Sequence, residues 1–300
     1  MSGPGPLIVS FQYALHARHT IAYVILAQAL EAPLVTADAK MNEASVSGWM
    51  CAFFGWRGER TSTRTPRRPE TLPRPVITTW PVRPDELVGV QVALGQATPP
   101  AWSPPASPPR IGGCFVCFAR GIAGAGEAGD PAFAAAAVLR DRRVLARAVV
   151  RGGAGAPYLP ALLALREGRL LEAAVRALDQ ASSPEVLLVN ASGRDHPRRA
   201  GLALHLGAVL GVPTVGVTNR PLVAEGDWPG PTAGATAPLR LSGELVGYWL
   251  RARRGSKPVV VHAAWRTDPD TAVEVVRGAI RRARTPQPLR RARTAARAAR

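Results

Sequence analysis

Residues 187 to 207 read LLVNASGRDHPRRAGLALHLG. Apolar residues lead into Asn190, and a small-residue loop follows that carries His196, Arg198 and Arg199 towards a helix-like run. The end of such a buried strand is where a chain built for phosphodiester chemistry would place a carboxylate. Mg²⁺ takes oxygen ligands, commonly one or two carboxylates plus water and phosphate. An amide keeps one carbonyl oxygen and loses the charge. The acids that precede it are Glu167, in LREG, and Glu185, five residues upstream. His196 is a candidate to meet phosphate or a base, and two arginines before a helix can hold phosphate by charge and backbone N–H groups.

The elements that must position these groups follow from hydrophobic period. IGGCFVCFA, AFAAAAVLR and VLARAVVR read as three strands, separated by turn signals at 124–130 and at Asp141-Arg142, so an antiparallel meander is expected. LLALREGRLLEAAVRALDQ changes to a helical repeat through Leu162, Leu165, Leu170, Leu171, Ala174 and Leu178. Strand EVLLVN, helix AGLALHLGAVLG and strand PTVGVTN come next, then strands VGYWLRAR and PVVVHA and a helix from Asp268 to about Arg282. Meander, helix, strand, helix, strand is the order of a ribonuclease H-like α/β fold, a mixed sheet flanked by helices.

Five segments in order are WPVRPDELVGVQ, PYLPALLALREG, LLVNASGRDHPRRAGLALHLG, GVPTVGVTNRPLV and SKPVVVHAAWRTDPDTAVEVV. Together, over roughly residues 78 to 288, they resemble endonuclease V. The resemblance implies a Mg²⁺-dependent enzyme that cuts a nucleic-acid strand near inosine, the product of adenine deamination. It also implies acids on the first strand, on the helix after the meander and on the next strand. At the first of these positions this chain has Phe115; at the second it keeps Glu167; at the third it has Asn190. The family's lysine falls on Asn219 and its late histidine on Trp265.

Phe115 supplies no ligand and fills space that a hydrated ion requires, so a weak or absent metal site is expected, with Glu167 and His196 as catalytic remnants. A second reading keeps the activity, with Glu167, Glu185, the Asn190 carbonyl and a substrate phosphate around one metal. A third makes the chain a structural partner of an active nuclease. Glu167 and Glu185 also read as a helix-start and a strand-edge charge, and His262 as a hydrogen-bonded structural residue.

Binding is expected from other groups. By the resemblance, Pro157, Tyr158, Leu159 and Pro160 form a wedge that pushes into the strand opened by a flipped base, for which a stiff loop with an aromatic stacking face is suited. Gly193 and Gly216 remain where family glycines let the backbone approach the base, whereas Ala161 and Ala191 replace two others. Arg198 and Arg199 complete the set.

Composition agrees with a polyanion as partner. The net charge is +17 and the pI about 11.4, although Lys40 and Lys257 are the only lysines, an Arg-over-Lys bias that a GC-rich genome would impose. Single-stranded or deaminated DNA or RNA is the expected partner, and a monomer the expected state. No membrane association is expected, because TIAYVILAQALEAPLV is interrupted by Gln28 and Glu31 and falls short of the ~18 apolar residues of a span. Cys51, Cys114 and Cys117 lack metal-ligand spacing and read as buried hydrophobes; Cys114 and Cys117, three apart in a strand, face opposite ways. With no signal-peptide pattern, the expected location is cytoplasmic.

Residues 1–45 form an organisationally separate piece, a helix followed by the strand LVTAD, half of an α/β unit with no sheet to join. It resembles the C-terminal end of a PIN-domain ribonuclease, with Asp38 as its last acid and Thr20 where another acid would stand, and reads as a fusion relic or mis-set start. Residues 46–75 are a Pro- and Arg-rich linker, 76–288 the endonuclease V-like domain, and 289–300 a solvated or disordered basic tail.

Overall fold

The computed structural model describes residues 80–179 and 182–300, together with two short strands, β1 (Leu7–Ile8) and β2 (Leu34–Val35). The chain divides into two units, Met1–Leu72 and Pro73–Arg300. In the first, β1 and β2 pair in parallel, so the start of LVTAD does have a strand to join. The expected N-terminal helix, Thr20, Asp38, Cys51 and the linker lie outside the described residues.

The second unit is built on one eight-stranded mixed sheet, in the order β5-β4-β3-β6-β7-β10-β9-β8. β3 (Ile111–Phe118), β4 (Pro131–Arg140) and β5 (Arg143–Gly153) are the expected antiparallel meander. β6 (Val186–Val189) and β7 (Thr214–Thr218) run parallel to β3, as crossovers through helices require. β10 (Val259–Ala263) returns antiparallel to β7 and carries β9 (Glu244–Leu250) and β8 (Thr236–Leu241). β8 was not expected: its burial alternates too weakly to stand out, and pairing with β9 makes it a strand.

Helices cover both faces, because β6 is buried on each side and reads as a continuous apolar run. On one face lie α1 (Pro84–Gln96), α2 (Leu163–Arg176) and α3 (Leu202–Leu210); Leu87, Leu94, Leu171, Ala174, Leu204 and Leu206 meet Cys114, Ala134, Leu187 and Val189 there. On the other, α4 (Pro269–Ala279) packs on Leu188, Val215 and Val261. The last helix, α5 (Gln287–Ala299), packs beside it on Cys117, Ala135 and Ala137. Cys114 and Cys117 do point to opposite faces. The alanines of β4, buried throughout, let helices approach both sides closely.

One helix was not assigned from the sequence and one expectation is corrected. α1 carries its own start signal, Pro84 at its beginning and acidic Asp85 and Glu86 in its first turn. The basic tail is no solvated extension. Leu289, Ala292 and Ala296, spaced three and four apart, are buried against the sheet, which orders the helix despite its charge. Gly113 makes that contact possible, since a Cβ there would collide with the backbone of Pro288 and Leu289. Among the described residues no helix is long and apolar enough to cross a membrane.

Candidate functional site

The parallel register pairs Cys114 with Val189, so the next residues, Phe115 and Asn190, follow side by side at the end of β6. Two of the positions at which the resemblance implies acids are therefore neighbours in space. Asn190 is exposed. Phe115 is half-buried and belongs to the apolar contact beneath α5, next to Cys117, Ala135 and Ala296. Its strand partner is Ala135, small enough to leave room for the ring.

Glu167 comes from α2, on the opposite face, and acts electrostatically on the Cys114 thiol, whose own burial is the main cause of its raised pKa. Protein packed round the carboxyl pushes the Glu167 pKa up to about 8, against the pull of Arg166. The side chain still reaches some solvent. No described residue donates a hydrogen bond to it. Among the described residues no three of His, Cys, Asp and Glu gather as a metal would require. With an aromatic ring at Phe115 and an amide at Asn190 where the resemblance implies acids, and Glu167 on the other face of the sheet from that ring, the side chains present do not fit a hydrated Mg²⁺.

The expectation of Glu185 as a second ligand is corrected. It precedes β6, at the far end of that strand from Asn190, roughly 16 Å away by strand rise. There it accepts a hydrogen bond from the Arg110 N–H (2.7 Å) and pairs with Arg110 and Arg140 (3.9 and 3.8 Å), the strand-edge role. Trp265 is also distant: its N–H donates to Thr214 Oγ1 (3.1 Å) and its carbonyl accepts from Thr214 N–H (2.9 Å), at the start of β7. That is roughly 10 Å along the strands from Asn190 and two strands across. Asn219 is exposed just past β7.

The loop around Tyr158, expected from the resemblance to act as a wedge, has a rigid base. Tyr158 is 47% exposed, and its N–H is tied to the Ala125 carbonyl (2.8 Å). Pro157 and Pro160 flank it, and Leu159 packs against the core. At the foot of the loop Ala161 has φ +59°, a conformation that costs an L-residue about 1 kcal/mol and that glycine adopts freely. The Ala161 carbonyl accepts from Gln91 Nε2 (3.0 Å), His196 Nε2 (3.0 Å) and Arg198 Nη2 (3.2 Å), which holds it there. His196 Nδ1 accepts from the Arg198 N–H (3.2 Å), so Nε2 carries the proton. Burial pushes this imidazole down to about 4. His196 is thus neutral with both nitrogens in use, a positioning group for the loop.

Arg198 and Arg199 are likewise engaged. Arg198 Nε donates to Gln91 Oε1 (2.7 Å); Arg199 donates to the Leu241 carbonyl (3.1 Å) and pairs with Glu244 (3.0 Å). They sit in the loop before α3, whose N-cap is Gly201. Gly193 and Gly216 are needed for close backbone packing: a Cβ would collide with the Ala263 carbonyl at Gly193 and the Ala191 carbonyl at Gly216.

One cluster went unrecognised in the sequence. The Asp195 carboxylate, fully buried, accepts from the N–H groups of Leu222, Val223 and Ala224 at 2.7, 2.8 and 2.7 Å and lies 3.4 Å from His262 Nδ1. His262 Nε2 is 2.8 Å from Thr218 Oγ1. Burial pushes the His262 imidazole down although Asp195 pulls it up. This pins the segment after β7 to the segment after β6, with His262 in the structural role expected of it. Gln91 was missed too, although Leu87, Gln91 and Leu94 share a helix face.

The endonuclease V family model matches residues 111–294. Endonuclease V of Methanopyrus kandleri is 42% identical over 161 residues, 53% of this chain and 69% of that protein. The crystal structure of endonuclease V from Streptomyces avermitilis is 34% identical with a TM-score of 0.65, covering 73% of this chain and 94% of that one. The fold is shared as well with Ciona intestinalis endonuclease V, solved in complex with a 24mer DNA containing an inosine followed by a ribo-adenosine. That match has 19% identity and a TM-score of 0.59, over 71% of this chain and 96% of that one. With the sheet order, the kept Glu167 and these matches in agreement, the chain belongs to the endonuclease V family.

Proposed function

We propose that this chain binds inosine-containing or otherwise deaminated nucleic-acid strands and cuts them poorly or not at all. The observation that carries the reading is Phe115 beside Asn190, which leaves Glu167 as the one kept family carboxylate, with its pKa raised to about 8. Metal-assisted hydrolysis needs an ion to activate water and to offset charge on the phosphate, and an incomplete ligand set removes both. Binding rests on groups that do not depend on the ion: the exposed Tyr158 on its braced loop and the basic surface. The family's activity and the inosine-containing DNA held by the Ciona protein support the substrate class.

The competing reading is an active nuclease with an altered site, favoured by the retention of Glu167. Purified protein incubated with inosine-containing single strands and Mg²⁺ or Mn²⁺ separates the two. The expected result is salt-dependent binding with no cleavage above background, and about a tenfold weaker Kd for Tyr158→Ala. Cleavage abolished by Glu167→Ala would overturn the proposal in favour of the enzyme. Absence of binding even at low salt would point to a structural partner instead.

A further inference from the structure

Helix α5 brings positive charge to the place where the acid is missing. Arg290, Arg293, Arg297 and Arg300 recur at spacings of three and four, which sets them along one flank beside the buried Leu289, Ala292 and Ala296. The Arg293 guanidinium carbon lies 6.0 Å from the centre of the Phe115 ring, and Phe115 neighbours Asn190. Burial pushes up the thiol of Cys117, two residues further along the same strand and face, and the nearby charges of Arg300 and Arg297 pull against that rise without cancelling it.

None of these four arginines has an acidic partner among the described residues. Elsewhere some arginines are paired, Arg110 and Arg140 with Glu185, Arg166 with Asp130 and Arg199 with Glu244, while others, such as Arg142 and Arg254, have no acidic partner among the described residues. Residues 285–300 contain no acid at all. A GC-rich composition explains arginine in place of lysine; it does not explain four unpaired arginines on one flank. Their mutual repulsion is felt at Arg293, whose pKa is lowered by burial and then by Arg297 and Arg290.

We propose that this flank takes over the electrostatic part of the metal's task, gripping the phosphates of a nucleic-acid strand over Phe115 and Asn190 so that binding there needs no divalent cation. This rests on the reading of the chain as a strand-binding protein. A guanidinium carries a permanent charge and fits phosphate with two parallel hydrogen bonds, yet it cannot activate water as a metal does. The flank spans about 15 Å, enough for several phosphates. A nucleic acid suits it better than an anionic membrane. Membrane-surface helices pair basic residues with an apolar face free to insert, whereas the apolar residues of α5 are committed to the sheet.

The test is fluorescence anisotropy with an inosine-containing single-stranded oligonucleotide, titrated with salt in EDTA and in Mg²⁺. It compares the parent with R293Q/R297Q and with R142Q/R254Q, which removes the same charge from two exposed turns outside α5. The expected Kd is the same within about twofold in EDTA and Mg²⁺. R293Q/R297Q should weaken binding about tenfold at 100 mM salt and reduce the log–log salt slope by about 2, with a smaller effect from R142Q/R254Q. Thermal melts should show both variants folded, R293Q/R297Q melting no lower than the parent because repulsion is relieved. Binding that requires Mg²⁺, or equal losses in the two double variants, would overturn this proposal while leaving strand binding intact. So would tighter binding of phosphatidylserine vesicles than of the oligonucleotide. No oligonucleotide binding by the parent at low salt would remove the broader reading as well.

Discussion

At the scale of single residues, Glu167 shows how a family acid behaves once its partners are gone. In the unfolded chain its carboxyl ionises near 4.5, and in the folded chain near 8. Between those values the folded protein holds a proton that the unfolded chain has released, so stability is full below about pH 4.5 and falls as pH rises towards 8. Glu167→Gln stays neutral and removes that loss. Urea denaturation at pH 5 and pH 9 should find the variant close to the parent at pH 5. At pH 9 it should be more stable by on the order of 3 kcal/mol, a figure discounted for the part of the side chain that reaches water. The same experiment in the presence of Mn²⁺ should change the parent little. His196 teaches the complementary lesson. Its family motif survives in the sequence, yet its two nitrogens serve the Arg198 N–H and the Ala161 carbonyl.

At the scale of elements, α5 decides more than its sequence suggested. A run of arginines and alanines with no acid reads as a free tail, and only the apolar spacing of Leu289, Ala292 and Ala296 argues otherwise. The sheet supplies the missing half of that contact, through Phe115, Cys117 and the alanines of β4. Gly113 is where the start of the helix meets the sheet most closely. Gly113→Ala should force α5 away from β3 and cost about 1–3 kcal/mol, read as a lower Tm and faster amide exchange confined to α5. An unchanged exchange pattern would show that the helix is held elsewhere. The loop around Tyr158 makes the same point: its proline-flanked tyrosine was visible in the sequence, whereas the brace from Gln91 on α1 depends on a helix that lies 66 to 70 residues earlier in the chain.

At the scale of the whole molecule, buried histidines and the buried acid oppose one another. Burial lowers His196 and His205 to about 4, and His205 has no hydrogen-bond partner for either ring nitrogen among the described residues. Their folded pKa values lie below the unfolded 6.5. The stability they contribute is therefore present above pH 6.5 and lost as pH falls towards 4, up to about 3 kcal/mol each. Glu167 works in the other direction between about 4.5 and 8. Melting temperature should peak near pH 6.5, falling steeply on the acid side and gently on the alkaline side, with the alkaline fall flattened in Glu167→Gln. A curve flat from pH 4.5 to 8 would show that these groups are solvated.

The sequence by itself determined the alternation of strands and helices, because hydrophobic period is written locally. It also determined the family, because the motif order along the chain carries it, and the identities of the residues standing in the acids' places. Only the tertiary structure decided which of those residues meet. Register put Phe115 beside Asn190 and sent Glu185 and Trp265 elsewhere; burial raised Glu167 and neutralised His196. Packing turned a charged tail into a helix over the site. Each of these depends on groups far apart in the chain, whose proximity, desolvation and shared hydrogen bonds exist only once the sheet has formed.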